Sequence, residues 1–279
     1  MLKKNLFFAV FVCAIELFGA LDVTVGTAPE KFIIDKVGGS KVKVRTVMPP
    51  GKNVHDFAIT PEMVKNIARS DIFFHTGLLF EQQISSILRN RKIRIVNLAD
   101  YISKIQEVHP LHTAAEHPSD DVHTWFSYKN LKLMAHEAEK VLSETDSANA
   151  EFYSRNCEEF CAAIDSAKAA ALKKLRHHSG RTFLTYHAAF GYYADEFKLK
   201  QLSFEFNGRE ITPRNLTYLS RYAKQHKIKS VFIQSSASEN VRRAIVNTTK
   251  AKIVIIDPAD YDVLKNLNRL SSELEAAFE

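Results

Sequence analysis

Leu21-Asp22-Val23-Thr24-Val25-Gly26-Thr27-Ala28-Pro29-Glu30-Lys31-Phe32-Ile33-Ile34-Asp35-Lys36-Val37-Gly38-Gly39-Ser40-Lys41-Val42-Lys43-Val44-Arg45-Thr46-Val47 reads as strand, helix, strand, and this reading decides the fold. Residues 21–27 alternate as a strand does. Residues 28–37 carry apolar side chains at helical spacing and stop at Gly38-Gly39, and residues 41–47 alternate again. A helix between two strands brings the chain back to the same end of the sheet, so the strands run parallel.

The same alternation continues outward. Thr60-Pro61-Glu62 opens a helix with a capping hydroxyl and proline in the first turn. Residues 71–76 form a short buried strand stopped by Gly77, followed by a helix over 80–91 and a strand over 93–98. A polar loop over 100–122 interrupts the rhythm, and two helical stretches follow at 126–142 and 147–177. The second spans roughly 45 Å at ~1.5 Å per residue, enough to bridge two lobes. Strands over 182–186, 200–204, 230–233 and 252–256 then alternate with helices over 188–197, 213–226, 238–250 and 261–278. The expected architecture is α/β, two lobes with mostly parallel sheets joined by one long helix: residues 21–145, 146–178 and 179–279, after a leader over 1–20.

Bulk properties agree with a folded, exported chain. The 279 residues are 46% hydrophobic and 25% charged, which excludes global disorder. The net charge of +6 is scattered along helical faces without interleaved aromatics, so no nucleic-acid partner is expected. Lys3 and Lys4, the apolar run 6–15 and the small residues Gly19-Ala20 read as a signal peptide for a periplasmic protein. Val12 before Cys13 disfavours a lipid anchor there. Cys157 and Cys161 lie four apart on a helix, where a disulfide is awkward, and they read as free thiols with no second Cys/His pair at zinc-finger spacing.

Three histidines stand at or near the ends of strands: His55 after Pro49-Pro50-Gly51, His123 in Val122-His123-Thr124-Trp125, and His187 in Tyr186-His187-Ala188-Ala189-Phe190-Gly191-Tyr192. They are 68 and 64 residues apart, and a further 70 residues leads to Asp257 in Ile256-Asp257-Pro258. Parallel sheets bind ligands at the carboxyl ends of their strands, and imidazole with carboxylate is a donor set for zinc. Taken singly, each has an ordinary explanation: a solvated turn for His55, packing against Trp125 for His123, a turn signal for Asp257-Pro258. His75, His136, His226 and His177-His178 read as structural.

These four segments, with Gly77 to Glu81 and Glu210-Ile211-Thr212-Pro213, resemble the ligand motifs of the cluster A-I (TroA/ZnuA-like) metal-binding solute-binding proteins of ABC transporters, nearest to the zinc-uptake branch. The similarity runs in order along essentially the whole mature chain. It implies two Rossmann-like lobes, a rigid connecting helix, and a metal site in the interlobe cleft. His55 and His123 would come from the first lobe and His187 and Asp257 from the second, Asp257 or water being the fourth ligand. Manganese and iron members tend to carry a carboxylate where His187 stands, and three imidazoles favour Zn²⁺ over the oxygen-preferring Mn²⁺. The loop over 108–118 occupies the place of a His-rich insertion, and His109, His112 and His117 are candidates for auxiliary metal capture. The implied partner is the membrane permease, with the binding protein acting as a monomer. Rival readings are a manganese or iron carrier and a secreted zinc-dependent hydrolase. Against the hydrolase, no His-Glu-x-x-His helix or Gly-x-Ser-x-Gly elbow occurs in the sequence.

Overall fold

Short strands alternate with helices in the computed structural model, which describes residues 19–49, 57–106, 120–205 and 211–279. In the first lobe the chain runs β1 (Leu21–Val25), α1 (Ala28–Gly38), β2 (Val42–Thr46), α2 (Pro61–Ile67), β3 (Ile72–His75), α3 (Leu79–Leu88) and β4 (Arg94–Asn97). Two helices follow, α4 (Tyr128–Thr145) and α5 (Ala150–Leu175). The second lobe has β5 (Thr182–Thr185), α6 (Gly191–Glu196), β6 (Lys200–Ser203), α7 (Pro213–Gln225), β7 (Ser230–Ile233), α8 (Glu239–Thr249), β8 (Lys252–Ile255) and α9 (Val263–Phe278).

All strand pairs in both sheets are parallel, and the two sheets share one strand order, β2-β1-β3-β4 and β6-β5-β7-β8. Each sheet reverses direction beside its first strand, which opens a crevice beyond the carboxyl ends of β1 and β5. The central strands β3 and β7 are buried throughout, as parallel strands covered on both faces must be.

The expected elements are present with ends displaced by up to three residues, most of them shortened and α4 extended to Thr145. The linking helix α5 has 26 residues, about 39 Å at ~1.5 Å per residue. One departure has a visible cause: α6 begins at Gly191 rather than at residue 188. The His187 carbonyl is held by the Thr185 hydroxyl at 2.6 Å and by the Ala189 N–H at 3.0 Å, so residues 187–190 form a turn and the helix starts after it.

The helix α5 packs along α1 and α4 on one side and α9 on the other. A single apolar core therefore runs from Val23, Phe73 and Phe74 through Tyr153, Phe160 and Ile164 to Phe183, Phe232 and Leu267. A second cluster around Phe204, Leu219, Val231 and Ile245 lies in the second lobe.

Polar contacts lock the lobes further. Glu196 of α6, its side chain 8% exposed, accepts hydrogen bonds from Ser127 Oγ at 2.8 Å, Tyr128 N at 2.9 Å and Lys129 N at 3.2 Å, and pairs with Lys168 of α5 at 2.7 Å. A carboxylate of the second lobe thus caps α4 and complements its positive end. Trp125, fully buried, donates its indole N–H to Pro258 O at 2.8 Å.

Truncating Glu196 strands two amino-terminal N–H groups of α4 and leaves the half-buried Lys168 without its ion-pair partner. Glu196→Ala is expected to lower stability by about 2–4 kcal/mol, and Glu196→Gln by less; urea titration checks this.

His75, at the end of β3 and stacked on Phe73 at 5.5 Å, is buried. Desolvation lowers its pKa to about 4, opposed by the charge of Asp100. The folded protein therefore resists the proton that the unfolded chain accepts from about pH 6.5 downward. Stability should fall as pH drops from 6.5 to 4, by about 3 kcal/mol from this residue, and the loss should end below pH 4. His75→Phe should remove that part of the slope when denaturant midpoints are compared across this range.

Candidate metal centre

The candidate centre is assembled by strand ends. Hydrogen bonds of β5 with its neighbours continue beyond its last residue: Tyr186 N donates to Phe232 O at 2.7 Å, and Glu205 N to Tyr186 O at 2.8 Å. This extension places His187 just beyond β5 and Glu205 beside it at the end of β6. His123 comes from the segment between β4 and α4. That segment is fixed by Asp121 N to Ile105 O at 2.9 Å, by Asn130 Nδ2 to Thr124 O at 2.9 Å, and by the Trp125 bond to the second lobe.

The two rings meet across the lobes. His123 Nε2 lies 3.1 Å from His187 Nε2, with ring centroids 4.9 Å apart and planes at 79°. Both histidines are buried. His123 Nδ1 is 2.9 Å from Asp121 Oδ1, which also accepts the His123 backbone N–H at 2.9 Å. A carboxylate accepts only, so the Nδ1 proton belongs on this side and Nε2 is the electron-pair donor. His187 Nδ1 faces Glu205 Oε2 at 3.5 Å, an electrostatic contact at the long limit of a hydrogen bond. Both carboxylates are themselves buried.

His187 Nε2 either donates a proton to His123 Nε2 or presents a second electron pair, and two electron pairs so close call for a cation between them. Around a tetrahedral zinc ion, with Zn–N of ~2.0–2.1 Å, two ligating nitrogens are about 3.3 Å apart. The observed separation is close to that edge.

Of the other expected ligands, Asp257 follows β8 and is half-buried. Its carboxylate accepts the Ala259 N–H at 3.0 Å and a short bond from Ser235 Oγ. Trp125, through Pro258, brings this turn beside the His123 segment, yet Asp257 does not complete with the two histidines a set whose donor atoms all lie within 4.8 Å of one another. His55 lies outside the described residues, as do His109, His112 and His117.

Asp121 and Glu205 escaped the reading of the sequence. Asp121 carried a signal, an acid two positions before a candidate ligand. Glu205 carried only its place after a strand. Gly191 completes the packing: a Cβ there would stand 2.5 Å from Asp121 Oδ2.

Two parallel α/β lobes on one helix, meeting at paired imidazoles, define a metal-binding substrate-binding protein of the kind that serves ABC transporters. The chain belongs to the ZnuA family, zinc-uptake complex component A, periplasmic, whose family model matches residues 23–266. A putative metal-binding protein of Treponema pallidum (strain Nichols) is 30% identical over 253 residues, covering 86% of this chain and 79% of that protein. The manganese ABC transporter substrate-binding lipoprotein PsaA of Streptococcus mitis is 26% identical over 231 residues, covering 79% of this chain and 74% of its own. A crystal structure of ZnuA shares the fold with a TM-score of 0.83 at 24% identity, covering 93% of this chain and 100% of that one. The family is one of binding proteins that work with a membrane permease, not of enzymes, which removes the hydrolase reading.

Replacing Asp121 by Asn keeps an acceptor but removes the charge behind the imidazole. Asp121→Asn should weaken metal binding by about 10- to 100-fold without unfolding the protein; isothermal titration paired with a thermal melt checks both.

Proposed function

We propose that the protein captures Zn²⁺ in the periplasm and hands it to its ABC permease, with His123 and His187 as the central ligands, His55 as the third, and Asp257 or water as the fourth. The observation that carries this reading is the 3.1 Å approach of two Nε2 atoms, with a buried carboxylate behind each ring. Manganese prefers oxygen donors, whereas paired imidazoles suit zinc. Relatives named for manganese and a family described for zinc uptake both match the chain, so the donor set is the discriminating evidence. A carrier has no need for an open coordination position, and a donor set of imidazole and carboxylate without thiolate favours release. Among the described residues no helix is long and apolar enough to cross a membrane, which accords with a binding protein that depends on a separate permease. His109, His112 and His117 would act upstream, as a weak capture loop.

The protein offered equimolar Zn²⁺ and Mn²⁺, then desalted and subjected to elemental analysis, should retain zinc over manganese by about 100-fold or more. Equal retention would reject the zinc assignment. His123→Ala and His187→Ala should each reduce zinc affinity by at least ~100-fold, beyond the effect of an outer carboxylate. His187→Glu should narrow the preference for zinc over manganese.

A further inference from the structure

Away from the cleft, α4 and α5 bring together three soft donors. His136 lies on the exposed side of α4, while Cys157 and Cys161, 2% and 8% exposed, lie one turn apart on the face of α5 that packs against it. The imidazole spans both sulfurs: Nδ1 is 3.6 Å from Cys157 Sγ and Nε2 is 3.6 Å from Cys161 Sγ. One donor atom from each residue lies within 4.8 Å of the other two. Both cysteines are free thiols. One turn before His136, Lys132 pairs with Asp165 at 2.6 Å and closes that end of the cluster.

We propose that His136, Cys157 and Cys161 form a second metal site, distinct from the cleft, that takes a zinc-class cation through two thiolates and one imidazole, with water in the fourth position. The spacing fits such an ion. With Zn–S of ~2.3 Å and Zn–N of ~2.0–2.1 Å, a tetrahedral site places sulfur and nitrogen about 3.6 Å apart. Each sulfur already has that distance to one ring nitrogen, Cys157 to Nδ1 and Cys161 to Nε2, and one donor atom from each of the three residues lies within 4.8 Å of the others. The two sulfurs approach from the protein interior and the ring from the solvent side, so a modest ring rotation directs one nitrogen to an ion seated between them. On binding, the two thiols release two protons to solvent and the ion is held by two thiolates and a neutral imidazole. No oxidation state changes.

The arrangement suits a metal better than thiol chemistry. Burial pushes the Cys157 thiol up to about 12 and raises Cys161 as well, so neither resembles the activated thiolate of a redox sensor. A bridge between residues four apart on one helix is strained. A cation reverses the cost of burial, because a coordinated thiol ionises outright. The ion would fasten α4 to α5, the helix that joins the lobes, and the softness of the donors separates this site from the nitrogen and oxygen ligands of the cleft.

Cobalt separates the two sites in one experiment, because only sulfur ligands give thiolate-to-cobalt charge-transfer absorption in the near ultraviolet. The reduced full chain titrated with Co²⁺ should develop this band, with saturation reached by two equivalents in total because the cleft takes cobalt without contributing to it, and Zn²⁺ should abolish it. Cys157→Ser should eliminate the band. His136→Ala, which removes an exposed ring and spares the core, should shift its midpoint by at least ~10-fold. Absence of the band in the reduced chain overturns the proposal, as does an unshifted midpoint in His136→Ala. If Cys157→Ser does not fold, His136→Ala decides. Cobalt uptake without the band would support the cleft site and reject this one, so the two readings fail independently.

Discussion

The approach of His123 Nε2 to His187 Nε2 is the constraint on which the rest of the molecule depends. The two atoms belong to different lobes and lie 3.1 Å apart in a buried position. Nitrogen donors held that close have a use only if their separation is fixed to a few tenths of an ångström, the tolerance of a metal–ligand bond. Two mobile lobes could not guarantee this. The protein meets the requirement by making the lobes share a core, with α5 packed on both, and by tying first-lobe groups to second-lobe ones at Glu196 and Trp125.

The contacts that join the lobes are also those that orient the two histidines. Asp121 holds the His123 ring and packs against Gly191 of α6, and α6 carries Glu196, the cap of α4. Trp125 lies two residues from His123 and reaches the turn that holds Asp257. Interlobe packing and the setting of the two histidines are therefore one network, in which a shift of either lobe alters the histidine separation directly.

Much of this was legible in the sequence, for physical reasons that also mark where reading stops. Parallel strands covered on both faces must be short and apolar, so β3 and β7 stand out, and the capped starts of α2 and α7 announce themselves through Thr60-Pro61 and Thr212-Pro213. Histidines at strand ends are visible because chain order and sheet topology put strand ends on one side. The delayed start of α6 was not visible, because it depends on the Thr185 hydroxyl competing for the His187 carbonyl. Nor was Glu205 behind His187, since neighbouring strand ends become adjacent only once the β5–β6 register is set. The pairing of Cys157 and Cys161 with His136 required the rotational setting of α4 against α5, which no one-dimensional pattern carries. The absence of a second Cys/His pair at finger spacing pointed away from metal there, whereas the third donor stands on the neighbouring helix.

A continuous core and a 26-residue spine limit how such a carrier can release its cargo. Wide hinge closure, which needs lobes joined by flexible strands, would tear the α5–α9 and α1–α5 packing and expose apolar surface at a cost of about 25 cal/mol per Å². Release does not need it. For an ion held between the two rings, as proposed, a tilt that lengthens the His123–His187 separation by one ångström would exceed the ~0.2 Å tolerance of its ligand bonds. On the zinc reading, the permease has only to weaken the second-lobe hold on the first, at Glu196 or at the Trp125–Pro258 bond, for the two imidazoles to part. The polar ties are suited to that role. Hydrogen bonds break over a few tenths of an ångström and can be replaced by water, while the apolar spine beneath them stays packed.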